Sequence, residues 1–238
     1  MNRPFAPPTG IPRAGAAFDA GLRRHMLSVY AHMGVGLLLT GLIAALVASS
    51  PALYQPIFGT PLKWVAILAP LGFVFFLSFR IERMSLGSAR TAFFAFAAVM
   101  GVSMASLFLV FTGASIARTF LIAATMFLGI SLWGYTTRAD LSRWSSFLFM
   151  GLVGIVLAGL VNLFLGSTGL QLAVSVAGVI VFTGLTAWDT QRLKSDYIAY
   201  AGTSHAGKLA IMGALSLYLD LVNLFQLLLT FFGERREG

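Results

Sequence analysis

Seven long apolar segments leave few alternatives for the fold of this chain. They lie at residues 26–48, 62–79, 91–112, 117–136, 146–166, 171–192 and 209–232. Most contain about the 20 apolar residues that a helix needs to cross the hydrocarbon core of a bilayer. Backbone polar groups in that core must be satisfied within the segment, which a helix achieves by itself. The sequence therefore predicts an all-α integral membrane protein built as a seven-transmembrane helix bundle.

The composition is that of a membrane protein, and no separate soluble domain is left over outside the apolar segments. Charged residues make up 10% of the sequence and apolar residues 58%, against roughly 25% and 45–50% in soluble domains. We expect a disordered cytoplasmic tail over 1–24, a membrane domain over 25–233 and a short C-terminal tail over 234–238. The absence of cysteine excludes disulfides, thiolate catalysis and Cys-ligated metals.

The basic residues indicate how the bundle is oriented. Twelve lysines and arginines lie on the side of the N-terminal tail and four on the opposite side. By the positive-inside rule, the N-terminus is cytoplasmic and, with seven spans, the C-terminus is outside. A re-entrant last segment would instead return the C-terminus to the cytoplasm. The formal charge of +8 is then explained by cytoplasmic loops and lipid headgroups, and we expect membrane lipid and no nucleic acid as a partner.

Two acidic residues lie within the apolar segments, where a charge is costly and needs a partner or a water-filled path. Asp220 is about eleven residues into the last segment, and Asp189 is near the end of the sixth. Asp220 either forms hydrogen bonds with Ser216 or Asn223 in helix packing, or faces Asp189. Asp189 either pairs with Arg192 at the membrane surface, at spacing i,i+3, or faces Asp220.

The second arrangement follows if the sixth helix continues to about residue 200 and the seventh begins near residue 209. Each aspartate is then about eleven residues from the connecting loop, and an antiparallel hairpin places Asp189 and Asp220 at the same depth. Two such carboxyl groups share a proton and titrate as a pair, which makes them a pH sensor. Deprotonated, they offer at most four oxygens to Ca²⁺, which prefers 6–8, so any metal site is weak and needs water, carbonyl oxygens or Asn223.

Arg80 and Arg83 follow the second segment and have two interpretations. They either anchor the helix end at the cytoplasmic surface, or one of them acts as a latch that binds Asp189. The sequences HExxH and GxSxG and the P-loop are all absent, so the common metalloprotease, hydrolase and nucleotide-binding activities lack their residues. We therefore expect no enzyme activity and no cofactor.

Two late motifs, VFTGLTAWDTQRLK and ALSLYLDLVNLF, strongly resemble those of the transmembrane Bax inhibitor motif family, also called Bax inhibitor-1-like proteins. The resemblance covers nearly the whole chain after residue 20. It implies a bundle with the last helix at the centre of the other six, and a pH-sensitive Ca²⁺ leak. It also implies that Asp189 and Asp220 form a proton-sharing dyad, and that an arginine at the end of the second helix, Arg83 or Arg80, is the latch. The motifs suggest a bacterial member in the inner membrane.

Three functions follow as expectations. The first is a Ca²⁺ leak channel that is gated by protonation of the dyad. The alternative is a membrane regulator without transport that acts on a membrane-bound ATP-dependent protease or in a stress response, and for it the tail 1–24 would matter more than the dyad. The third is a proton-coupled transporter that uses the same carboxylates.

Overall fold

Helices account for almost all of the described chain. The computed structural model describes residues 11–200, 203 and 206–236, without the side chains of residues 11–18 and 82. Eight α-helices follow one another: α1 (Ile11–Ser49), α2 (Pro51–Phe58), α3 (Leu62–Arg80), α4 (Leu86–Val110), α5 (Gly113–Thr136), α6 (Ser145–Leu165), α7 (Thr168–Tyr200) and α8 (Ala206–Phe232). All except α2 are long and apolar enough to cross a membrane. Within the described residues there is no β-strand, so the all-α fold class is confirmed.

Several helices extend beyond the apolar segments that predicted them. Helix α7 continues to Tyr200, as the face-to-face arrangement of the two aspartates requires, and α1 already begins at Ile11. Residues 11–24 of the predicted disordered tail are therefore helical, whereas residues 1–10 and 237–238 lie outside the described residues. The short helix α2, with Pro51 at its start, was not predicted.

The tight connections between helices have local causes. The Ser85 side chain accepts a hydrogen bond from the backbone of Ser88 at the start of α4, and Thr112 does the same for Ser115 at the start of α5. Such N-caps satisfy amide groups that have no partner within the helix. Gly166 ends α6 in the left-handed conformation, with φ of 60°, which glycine adopts without steric cost. The α4–α5 and α6–α7 turns therefore lie at residues 111–112 and 166–167, slightly before the connections 113–116 and 167–170 that the apolar segments predict.

Helix α8 is at the centre of the bundle. In its most apolar stretch, 56% of the residues are buried. The corresponding share is at most 39% in the other spans and 6% in the peripheral α6. It packs mainly against α1, α4, α5 and α7. Because α8 is one unbroken helix of 27 residues, the re-entrant alternative does not apply.

A buried tyrosine ties α8 to two other helices. The side chain of Tyr218 is fully buried between the rings of Phe93 and Phe96, both edge-on to it. Thr40 on α1 donates a hydrogen bond to the Ala97 carbonyl on α4 at 2.8 Å, and its oxygen lies 2.6 Å from the Tyr218 hydroxyl. Because the single hydroxyl hydrogen of Thr40 is already used, the tyrosine is the donor. This chain fixes the height of α8 in the bundle.

The residues after α8 form an ordered element, which we call the C-terminal clasp (residues 233–236). It lies along the α4–α5 turn, where the Thr112 amide donates to the Glu234 carbonyl at 2.9 Å. The Arg118 guanidinium on α5 also binds the Glu234 carboxylate, with 2.7 Å between Nη2 and Oε1. The predicted short tail 234–238 is thus attached to the bundle over its described part.

Candidate functional site

The structure brings Asp189 and Asp220 together in the interior of the bundle. Asp189 lies on α7 and Asp220 on α8, and they are 7% and 4% exposed. Their carboxyl groups are within hydrogen-bonding reach of each other. The extension of α7 to Tyr200 makes this possible, because it gives both residues a similar distance from the α7–α8 connection.

Each of the two carboxyl groups has one buried oxygen without a hydrogen-bond donor. Asp189 Oδ1 and Asp220 Oδ2 receive no hydrogen bond from the described residues. Two carboxylates at this separation in a low-dielectric interior cannot both ionise cheaply. Protonation of one carboxyl group would let it donate a hydrogen bond to the other. The geometry fits a pair that shares one proton and carries a single negative charge.

Arg192 is the cation that contacts this pair. Its Nη2 lies 3.2 Å from Asp189 Oδ1, close enough for an ion pair although the approach is not aligned as a hydrogen bond. The guanidinium also lies 3.9 Å from Asp196 Oδ2, donates to Ser216 Oγ at 3.4 Å and covers the ring of Trp188 at 4.9 Å. With a side chain 39% exposed, Arg192 connects the buried pair to the surface. Both interpretations of Asp189 therefore hold at once, since it faces Asp220 and pairs with Arg192.

The two arginines predicted as the latch lie elsewhere. Arg80 ends α3 and Arg83 follows it, and both side chains are exposed. Neither forms an ion pair or hydrogen bond within the described part of the chain, and the guanidinium on Asp189 belongs to Arg192 instead. The charge at Asp189 is supplied by a residue three positions along the same helix, and a latch role for Arg80 or Arg83 remains a prediction. A clue was present in the spacing, since residues 189, 192 and 196 share one helical face.

The two predicted supporting residues also have other contacts. Ser216 accepts its hydrogen bond from Arg192 and acts on the carboxyl pair only through it. The amide of Asn223 donates to the Leu219 carbonyl of its own helix at 2.8 Å. No hydrogen bond links either side chain to Asp220 among the described residues.

The site offers few ligands to a metal ion. No group of three or more His, Cys, Asp or Glu side chains with the spacing of a metal site occurs in the described residues. The two carboxyl groups supply at most four oxygens, fewer than Ca²⁺ prefers, and Arg192 already occupies one side of Asp189. A weak Ca²⁺ site at Asp189 and Asp220 remains a prediction.

Fold and site together define a polytopic helical membrane protein with a protonatable carboxyl pair buried between its last two helices. The chain belongs to the Bax inhibitor-1-like family, since the family described as "Inhibitor of apoptosis-promoting Bax1" matches residues 22–237. It is 47% identical to the inner membrane protein YbhL of Escherichia coli over 91% of this chain and 94% of YbhL. It is 46% identical to the protein RP147 of Rickettsia prowazekii, over 92% of this chain and 93% of that protein. A Caulobacter vibrioides protein is 40% identical over 100% of this chain and 99% of its own length. The family resemblance of the two late motifs is confirmed.

Proposed function

We propose that the protein is a pH-sensitive Ca²⁺ leak channel, gated by the Asp189–Asp220 pair, in a bacterial inner membrane. The observation that carries this proposal is the contact between two buried carboxyl groups, each with one oxygen that receives no hydrogen bond from the described residues. The name of the Escherichia coli relative supports the inner-membrane location. The distribution of lysine and arginine supports a cytoplasmic N-terminus and an external C-terminus.

The charges of the site suggest how pH would control the leak. With one shared proton the pair carries one negative charge, which Arg192 balances at 3.2 Å. Loss of that proton at higher pH leaves two negative charges against one positive charge. An uncompensated buried charge is unfavourable, so the site gains stability either by separating the carboxylates or by admitting a cation. Separation moves α8 against α7, and the cation that enters is Ca²⁺.

The test is Ca²⁺ flux into proteoliposomes that contain an indicator dye, measured from about pH 5 to about pH 8, which lies above the ordinary pKa of an exposed aspartate at about 3.9. We expect a leak that rises with pH in the wild type, and loss of this pH dependence in Asp220→Asn and Asp189→Asn. Asp140→Asn is the matched control. Hydrogen bonds from the side chain and backbone of Ser142 hold the pKa of Asp140 below its ordinary value, so this loop carboxylate stays ionised throughout.

Two results would contradict the channel proposal. Wild-type liposomes that leak no faster than empty ones at any pH would exclude a Ca²⁺ leak, and the function would then be sought in regulation of a membrane-bound protease, tested by deleting residues 1–24. A leak that keeps its pH dependence in both aspartate variants would place the sensor elsewhere. Proton movement coupled to uptake of another solute would favour the transporter alternative.

A further inference from the structure

One side of α8 is covered less completely than the rest, although Met212 and Leu219 on it pack against the main core and Leu227 against a second core cluster. Between Ala210 and Leu229, the residues that are not buried are Met212, Ser216, Leu219, Asn223, Gln226 and Leu227. They recur at spacings of three and four, so they form one face of the helix, which Thr230 continues in the next turn. We call this face, residues 212 to 230, the open stripe. It exists because α8 packs mainly on α1, α4, α5 and α7.

The open stripe is more polar than the rest of α8. Four of its members carry hydrogen-bonding side chains, namely Ser216, Asn223, Gln226 and Thr230, whereas the buried faces between Ala210 and Leu229 hold two, Tyr218 and Asp220. Asn223 directs one amide hydrogen to its own helix. The side-chain amide of Gln226 has no hydrogen bond within the described residues. An amide without partners is unfavourable in hydrocarbon, so this face is better suited to water than to lipid.

The open stripe leads to a cavity of mixed lining at the end of α8 that bears the C-terminal clasp, where Phe111 and Leu172 contribute apolar walls. The cavity has a volume of about 370 Å³ and is lined by Thr230 together with Thr168 and Gln171 of α7 and Arg235 of the clasp. Asp220 is ten residues from Thr230, which is about 15 Å along the helix. Asn223 and Gln226 lie between them at successive turns. Polar side chains are thus present at successive turns between the cavity and the turn of α8 that carries Asp220.

We propose that a water-filled crevice follows the open stripe from this cavity to Asp220, and that Asn223 and Gln226 line the path of a hydrated cation to the carboxyl pair. As a route for Ca²⁺ the crevice rests on the leak proposed above, but as a water-filled feature it does not. Arg235 at the mouth lowers the local concentration of cations, which suits a slow leak.

The chain contains no cysteine, so single cysteines can be introduced without removing any. The probe is a membrane-impermeant, positively charged methanethiosulfonate, applied to the protein in proteoliposomes without Ca²⁺. It reacts with the thiolate, which forms in water and is disfavoured in an apolar environment. We expect Asn223→Cys, Gln226→Cys and Thr230→Cys to be labelled.

Two cysteine variants serve as unlabelled controls. Ile180→Cys tests the lipid-facing surface of α7, since Ile180 is 66% exposed and lies nine residues from Asp189, at about the depth of Leu229 across the antiparallel pair. Leu224→Cys tests the packed side of α8, since Leu224 is fully buried. Lys63→Cys, at an exposed position in the first turn of α3, is the labelled reference. All variants are first compared with the wild type by thermal unfolding in detergent, and only those that unfold alike are used.

Three outcomes of the labelling experiment decide whether a water-filled crevice follows the open stripe. Labelling at positions 223 and 226 with unlabelled controls supports the crevice. No labelling at these two positions, while Lys63→Cys is labelled, overturns it. Oxidative cross-linking of Gln226→Cys between two chains also overturns it, because a second copy would then cover the stripe. Since labelling needs no ion flux, a labelled stripe in a protein that does not leak Ca²⁺ refutes the leak and leaves the crevice intact.

Discussion

Replacing Arg192 with glutamine removes the positive charge that contacts the carboxyl pair. At 3.2 Å between Nη2 and Oδ1, the attraction is about 5 kcal/mol for an effective dielectric constant of about 20. Solvent reduces it, since the arginine side chain is 39% exposed. We expect a value between the roughly 1 kcal/mol of exposed pairs and the 3–5 kcal/mol of buried ones, at about 1.5–2 kcal/mol.

Losing this attraction destabilises the doubly ionised carboxyl pair more than the pair that shares a proton. Without the cation, the last proton leaves at higher pH, and about 1.4 kcal/mol corresponds to one pH unit. The pH of half-maximal Ca²⁺ leak should therefore rise by about 1 to 1.5 units in Arg192→Gln. Arg192→Lys retains the positive charge, so it should shift the pH of half-maximal leak by less than half as much.

The assay is the dye-loaded proteoliposome measurement, with Arg143→Gln as the matched control. Arg143 is 85% exposed and lies 4.0 Å from Asp140, so its loss should leave the half-maximal pH unchanged. If Arg192→Gln leaks strongly at every pH, the arginine acts as a mechanical latch and the charge argument is wrong. An unchanged half-maximal pH would equally refute it.

Other predictions concern packing and are read from thermal unfolding in detergent. Gly134→Ala should lower the free energy of unfolding by about 1–3 kcal/mol, because a Cβ at Gly134 would lie 2.4 Å from a backbone oxygen of α7. Gly129→Ala on the same helix meets open space and should not destabilise, and equal losses would contradict the close approach. Tyr218→Phe should cost about 1 kcal/mol through the lost hydrogen bond to Thr40, without moving the pH of half-maximal leak. Glu234→Gln, which weakens an exposed ion pair, should cost at most about 1 kcal/mol, and less at high salt.

The helices could be predicted from sequence because the bilayer itself sets their length. Runs of about 20 apolar residues in lipid have one stable backbone conformation, and the N-caps at Ser85 and Thr112 and the glycine at 166 punctuate them. The parts of the helices that the apolar segments do not predict are their amphipathic or polar ends. Helix α2 is only eight residues long and has no buried residue, so it carries neither a membrane signal nor a core signal.

The site was partly predictable for a related reason. Charged residues in apolar segments are rare, so Asp189 and Asp220 stand out, and the geometry of an antiparallel hairpin places them at one depth. The positively charged partner of the carboxyl pair was harder to predict, because a guanidinium on a long side chain can reach the site from several helix ends. Only the packed structure distinguishes Arg192 from Arg80 and Arg83.

The C-terminal clasp could not be predicted, because its partners are more than a hundred residues away in the chain. The Thr112 amide donates to the Glu234 carbonyl, and the N-cap pattern at Thr112 does not indicate this partner. Pairings of this kind depend on where the ends of α5 and α8 come to lie, which is a property of the whole bundle.

The C-terminal clasp also restricts how the central helix can move. Helix α8 is about 40 Å long at about 1.5 Å per residue, and its last turn is attached to the α4–α5 turn. A tilt of about 5° about that attached end would move Asp220, about 18 Å away, by about 1.6 Å. The same tilt would move the first turn at Ala206, about 39 Å away, by about 3.4 Å. A helix attached at one end behaves as a lever, so a small separation of the two carboxyl groups becomes a displacement twice as large at the end of α8 next to the α7–α8 connection.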